Sequence, residues 1–149
     1  MKIMVGCDHG GVELKEKIIP LLKKMNHHIE DIGTFTSESV DYPYYAAKVA
    51  EAVAEGKAER GILLCGSGIG MCMTANRFSG VRAVQPSNPY EAKMSRRHND
   101  SNVLCLGGRF LGQDLALEIA QTWLAEAFEG GRHQRRVDLI DTVTRSSGR

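Results

Sequence analysis

Between Gly61 and Arg77 the chain reads GILLCGSGIGMCMTANR, placing Cys65 where an apolar run gives way to a glycine-rich turn. Gly66, Gly68 and Gly70, with Ser67 and Ile69 between them, put three glycines into five residues just ahead of a helical pattern. Bare backbone N–H groups and the positive end of a helix receive anions. A thiol facing such amides gains thiolate character and can act as a base or a nucleophile. Without the cysteine, the same loop reads equally well as a tight strand-to-helix turn.

Familiar phosphate-binding loops fit this stretch poorly. A dinucleotide fingerprint requires its third glycine where Met71 stands, and the VQPSN stretch about 20 positions on carries no acid. The Gly-Lys-Ser/Thr ending of a Walker loop is missing, and a C-x5-R phosphatase loop has Met71 in place of its arginine. The turn GCDHGG (6–11) is a second candidate, with Asp31 spaced like a ribose-binding acid, but Asp8 and His9 occupy the positions where pyrophosphate needs bare backbone.

Two further groups bear chemistry. RRHND (96–100) sets His98 beside Asn99 at a helix end, where a histidine is either a functional group or a cationic cap. In GGRHQRR, Arg132 and Arg136 are four residues apart, so on a helix they share a face. They read either as a phosphate clamp or as a solvated basic helix end. Cys105 falls in mid-strand, Cys72 one turn into a helix and Cys7 at a strand end, and these three read as packed structural thiols.

Positioning these groups falls to alternating elements. Strand patterns occupy 2–7, 27–32, 60–65, 81–85 and 102–107, and helical patterns cover 11–25, 44–54, 89–97, 111–128 and 132–144. Pro20 is expected to bend or shorten the first helix. Leu115, Ile119, Trp123, Leu124 and Phe128 make the 111–128 helix apolar over more than one face, which suits core or a subunit interface. Strand and helix in alternation imply a parallel sheet covered on both faces, with ligands beyond the strands' carboxyl ends.

Composition narrows the class. At 149 residues, 42% apolar and 25% charged, with no linker or low-complexity tract, the chain reads as one globular domain, 1–149, ending in the polar stretch SSGR. A formal net charge of +1 supplies no field for nucleic acid or an anionic membrane, so anion recognition must be local. No segment reaches a membrane span of about 20 residues, and no signal-peptide core is present. The expected compartment is the cytoplasm, with four reduced cysteines.

GCDHGG, DYPYYA (41–46), ILLCGSGIGMCMTANR, RAV (82–84), SRRHNDSNVLCLGGR (95–109) and EGGRHQRRV (129–137), in this order, closely resemble ribose-5-phosphate isomerase type B. That family also includes allose- and galactose-6-phosphate isomerases. The resemblance spans nearly the whole chain. It implies a three-layer α/β/α Rossmann-like fold with a five-stranded parallel sheet, using no cofactor and no metal. It also implies a homodimer or dimer of dimers whose active sites are shared between subunits, with the C-terminal helix and tail on or near the partner.

By the same resemblance, Cys65 is the proton-transfer base and His98 opens the sugar ring. Substrate contacts fall on Asp8, His9, Gly66, Ser67, Gly68, Ile69, Gly70, Asn99, Arg109, Arg132 and Arg136. Thr74, Ala75 and Asn76 stand where some relatives carry a glutamate base, which places the chain in the cysteine branch. Two rival readings remain at this point: an isomerase of a six-carbon sugar phosphate, and a nucleotide-binding domain that catalyses nothing. Two unlike chains, as in galactose-6-phosphate isomerase, are disfavoured by the complete residue set in one chain.

Overall fold

The computed structural model describes residues 1–145, and the expected polar end SSGR lies outside the described residues. Five parallel strands, β1 (Lys2–Cys7), β2 (His28–Asp31), β3 (Arg60–Cys65), β4 (Ala83–Val84) and β5 (Val103–Gly107), form one sheet in the order β2-β1-β3-β5-β4. The direction of winding reverses between β1 and β3. Their carboxyl ends therefore flank the crevice where open α/β sheets bind ligands.

Helices α1 (Val12–Lys24), α2 (Tyr42–Ala54), α3 (Ile69–Ala75), α4 (Pro89–Asn99) and α5 (Gln113–Ala125) alternate with the strands, and α6 (Arg132–Arg145) follows. Side chains of β3 alternate between two cores. Ile62 and Leu64 pack with Leu14, Ile18, Ile119 and Trp123 on the α1/α5 face. Leu63 and Cys65 pack with Val49, Ala50, Met71 and Ala75 on the α2/α3 face. The two-residue strand period thus aims Cys65 toward α3, the helix that opens its own loop.

Several boundaries differ from those the sequence suggests. Helix α1 runs unbroken through Pro20 to Lys24 and is not shortened there. Helix α2 starts two residues earlier than expected, at Tyr42, with Pro43 in its first turn. Strand β4 keeps only Ala83 and Val84, because Arg82 turns its backbone N–H to Asn102 Oδ1 at 2.7 Å. Helix α5 stops at Ala125, short of Phe128, and buries Ile119 and Trp123 completely.

Candidate active site

Three turns meet at the carboxyl end of the sheet. Asp8 N–H donates to Leu64 O at 3.1 Å, Gly108 N–H to Cys65 O at 2.8 Å and Arg109 N–H to Gly66 O at 2.9 Å. Asp8, nearly buried, accepts from Gly10 N–H at 2.8 Å and caps the short turn His9–Gly11. His9 Nδ1 accepts from Val40 N–H at 3.2 Å. A neutral His9 bonded this way carries its proton on Nε2, as a donor. Gly66 has no side chain, and the Arg109 guanidinium lies where one would be, with Nη1 at 3.2 Å from an ideal Cβ.

Cys65 is 4% exposed, and its Sγ accepts the Gly68 N–H at 3.0 Å. That contact requires Gly68 to adopt φ 80°, the left-handed region open to glycine. Ile69 N–H is taken by Ser67 Oγ at 3.2 Å, so Ser67 caps the loop from within. Other first-turn amides of α3 have no intrahelical acceptor, as at any helix start. Two more contacts complete the loop: Gln85 Nε2, which no motif singles out, donates to Ser67 O, and the Tyr42 ring, from the DYPYYA motif, stands against Gly70.

The remaining candidates lie at the other end of the sheet. His98 and Asn99 form the last turn of α4, directly before Asp100–Asn102 lead into β5, and Asn102 O accepts from Gly61 N–H at 2.9 Å. Arg132 opens α6, and Arg132 and Arg136 are both exposed. Between this end and Cys65 runs β3, whose six residues span about 17 Å. Within one chain, therefore, Asp8, His9, Cys65, the 66–70 loop and Arg109 come together, whereas His98, Asn99, Arg132 and Arg136 form a separate group.

That second group is firmly set. Asp100, in the left-handed region at φ 47°, accepts from Arg96 Nη1 at 2.8 Å and from Arg82 Nη2 at 3.1 Å. Trp123 Nε1 donates to Ser101 Oγ at 2.8 Å, and Glu129 N–H to Arg97 O at 3.0 Å. His98 stacks on His133 with ring centroids 4.3 Å apart and planes 11° from parallel. Burial, then His98 and Arg132, lower the His133 pKa. His133 and Glu129 were missed as site neighbours, although both lie in the EGGRHQRR stretch that carried the arginines.

The other thiols pack within the fold. Cys7 donates to Thr34 O at 3.4 Å, and burial pushes its pKa up to about 11. Cys105 is wholly buried and pushed well up by the same cause. Cys72 donates to Ala83 O at 3.5 Å. Asp31, spaced like a ribose acid, instead pairs with Lys15 Nζ at 2.9 Å and accepts from Gly33 N–H. Among the described residues, no helix is long and apolar enough to cross a membrane.

A doubly covered parallel sheet, a thiol held by a loop amide at its switch point, and acid, imidazole and guanidinium groups at adjoining turns define an α/β enzyme built for a small polar substrate. Its family is equally plain. The ribose/galactose isomerase family model matches residues 3–140, and the chain belongs to that family. Ribose-5-phosphate isomerase B of Escherichia coli K12 is 49% identical over 142 residues, covering 95% of each chain. D-erythrulose-4-phosphate isomerase of Pectobacterium atrosepticum is 40% identical over 141 residues, covering 94% of this chain and 93% of its own. The solved ribose-5-phosphate isomerase B of Clostridium thermocellum superposes with a TM-score of 0.95 at 50% identity, covering 99% of each chain.

Proposed function

We propose that this protein interconverts ribose 5-phosphate and ribulose 5-phosphate in the cytoplasm, as a step of the non-oxidative pentose phosphate pathway. The observation that carries the reading is Cys65 Sγ, held by Gly68 N–H at 3.0 Å where the Asp8, His9 and Arg109 turns converge. Relatives named as sugar-phosphate isomerases support the substrate class.

His98 opens the furanose by moving protons between the ring oxygen and the anomeric hydroxyl. Cys65 then takes the proton from carbon 2 of the open aldose, giving a cis-enediolate. Amides of the Gly66–Gly70 loop and the Asn99 amide steady the new negative oxygen, each well-placed donor contributing on the order of 3 kcal/mol. The thiol returns its proton to carbon 1, and the oxygens exchange theirs, leaving the ketose. Every electron pair stays within substrate and thiol, so the scheme calls for no cofactor. Asp8 orients sugar hydroxyls, while His9, Arg109, Arg132 and Arg136 grip the phosphate. Remote binding of that kind fixes the reacting carbons against a weak base.

The separation of His98 from Cys65 supports a site shared by two copies, one giving Asp8, His9, the 66–70 loop and Arg109, the other giving His98, Asn99, Arg132 and Arg136. Exposed apolar side chains around the Cys65 end favour such a partner, Tyr44 at 72%, Ile69 at 47% and Phe110 at 74% exposure among them. The unit is then a homodimer or a dimer of dimers, each chain one domain with its C-terminal helix against the partner.

Complementation tests both parts. Cys65→Ala and His98→Asn are each expected to lose turnover of ribose 5-phosphate. Random reassortment of equal amounts returns about a quarter of the wild-type sites, because half the dimers are mixed and each has one intact site. Mixed dimers seen by native mass spectrometry without regained activity would remove the shared site. Wild-type turnover by Cys65→Ala alone would remove the base.

A further inference from the structure

Beside the arginines at the amino end of the sheet, three metal-ligating side chains converge. His98 Nε2 lies 3.9 Å and His133 Nε2 3.7 Å from the same oxygen, Glu129 Oε2. One ligand atom from each residue falls within 4.8 Å of the other two. These gaps are too long for hydrogen bonds, so Oε2 is bonded to neither imidazole. The other carboxylate oxygen, Oε1, faces Arg97 Nη1 at 4.0 Å.

The scaffold under these groups is rigid. His133 N–H donates to Gly130 O at 3.0 Å, and Glu129 N–H to Arg97 O at 3.0 Å. His133 is one tenth exposed, while His98 and Glu129 are open to solvent on one side. Backbone bonds thus fix the two sides of the cluster, and the Glu129 carboxylate retains freedom to adjust.

Two imidazole nitrogens and one carboxylate oxygen make a donor set suited to Zn2+ and its neighbours rather than to Ca2+ or Mg2+. Bonds of about 2.0–2.1 Å put tetrahedral ligand atoms about 3.4 Å apart, so gaps of up to 4.8 Å must close by as much as about 1.4 Å, and His98, the more exposed ring, must turn out of its stack on His133 for both nitrogen lone pairs to meet one ion. A fourth position stays open to water or an anion. The surrounding Arg97, Arg132 and Arg136 oppose a bare cation and favour an anionic fourth ligand, which makes binding reversible rather than structural.

We propose that His98, Glu129 and His133 form a reversible binding site for a divalent transition metal of the Zn2+ class, with one coordination position left open. The consequence for activity rests on the ring-opening role given to His98 above. A metal-bound imidazole has no lone pair left to accept a proton, so an occupied site is an inhibited one.

Cobalt(II) titration of chelator-treated protein, followed by visible absorption, tests the site without relying on turnover. Wild type is expected to bind one Co2+ per chain at this cluster with tetrahedral-type bands and no thiolate charge-transfer absorption. Glu129→Gln and His133→Asn are each expected to weaken that binding about tenfold or more. Unchanged affinity in both variants, or a thiolate band showing that cysteines hold the ion, overturns the proposal. Zn2+ is further expected to slow wild type more than Glu129→Gln, each measured against its own metal-free rate. Co2+ and Zn2+ bound at the cluster with no loss of rate would refute the role of His98 and leave the metal site standing.

Discussion

Gly107→Ala joins the packing of the sheet to the chemistry of Cys65. Gly107 closes β5 directly opposite Cys65, and a Cβ added there would stand 2.5 Å from Ser67 O and 2.6 Å from Ser67 C. Both are backbone atoms, so no rotamer change relieves the clash and the 66–68 loop must retreat by roughly half an ångström or more. The Gly68 N–H, now 3.0 Å from Cys65 Sγ, moves with it. A hydrogen bond to a charged group contributes about 1.5–3 kcal/mol, so losing it as sulfur charge develops lowers kcat about 10- to 100-fold. Overpacking also costs about 1–3 kcal/mol of stability. In the proposed site Arg132 and Arg136 grip the phosphate from the other end of the sheet and are not displaced, so KM is expected to move less than kcat. Steady-state kinetics alongside urea unfolding provide the measurement, with Gly112→Ala as control, since a Cβ at Gly112 meets nothing within 4 Å. A folded Gly107→Ala protein with kcat within about twofold of wild type would refute the contribution of the sulfur–amide bond.

Two further perturbations probe the frame around the site. The Cys7 thiol, ordinarily near 9.0, is raised to about 11 by burial, so an unfolded chain ionises there first. Stability is then intact below pH 9 and falls between pH 9 and 11; wild type is expected to lose about 2 kcal/mol more than Cys7→Ala over that window by urea unfolding. An identical pH slope for the two proteins would contradict the burial argument. Lys15 sits 4% exposed with Nζ donating to Asp31 Oδ1 at 2.9 Å and Thr34 O at 2.7 Å. Lys15→Met removes the charged partner of Asp31, leaving it the Gly33 N–H and leaving Thr34 O only the weak Cys7 thiol donor, and is expected to cost about 3 kcal/mol, with Asp31→Asn in the same background recovering part of it. Equal stability of Lys15→Met and wild type by thermal unfolding would show that the pair contributes nothing net.

Strands β1, β3 and β5 were legible because each is buried on both faces and therefore reads as a continuous apolar run ending in glycine or cysteine. Edge strands were read too long. At β4, the VRAVQ pattern gave five residues of strand, but the backbone of Arg82 is engaged by Asn102 and only Ala83 and Val84 pair with β5. Such side-chain competition for the backbone leaves no periodic signal. Pro20 does not shorten α1: it is exposed, and the buried face of Leu14, Ile18 and Leu22 carries the helix on to Lys24.

The site divided along the same line between local and topological information. Residues after a strand announce themselves, since in a parallel sheet all such turns gather at one edge, and Asp8, His9, Cys65, the glycine loop and Arg109 do. His98 and Asn99 follow a different rule. A crossover helix runs back against its strand, so the last turn of α4 must lie at the amino edge, about 17 Å from Cys65 along β3. This was implicit in the order of elements, but motif spacing does not display it. Function assigned by a list of residues treats these two groups as one site, whereas within one chain the topology keeps them apart. In the proposed function Cys65 and His98 serve one substrate, and it is the direction of a single helix that makes that proposal call for a second subunit.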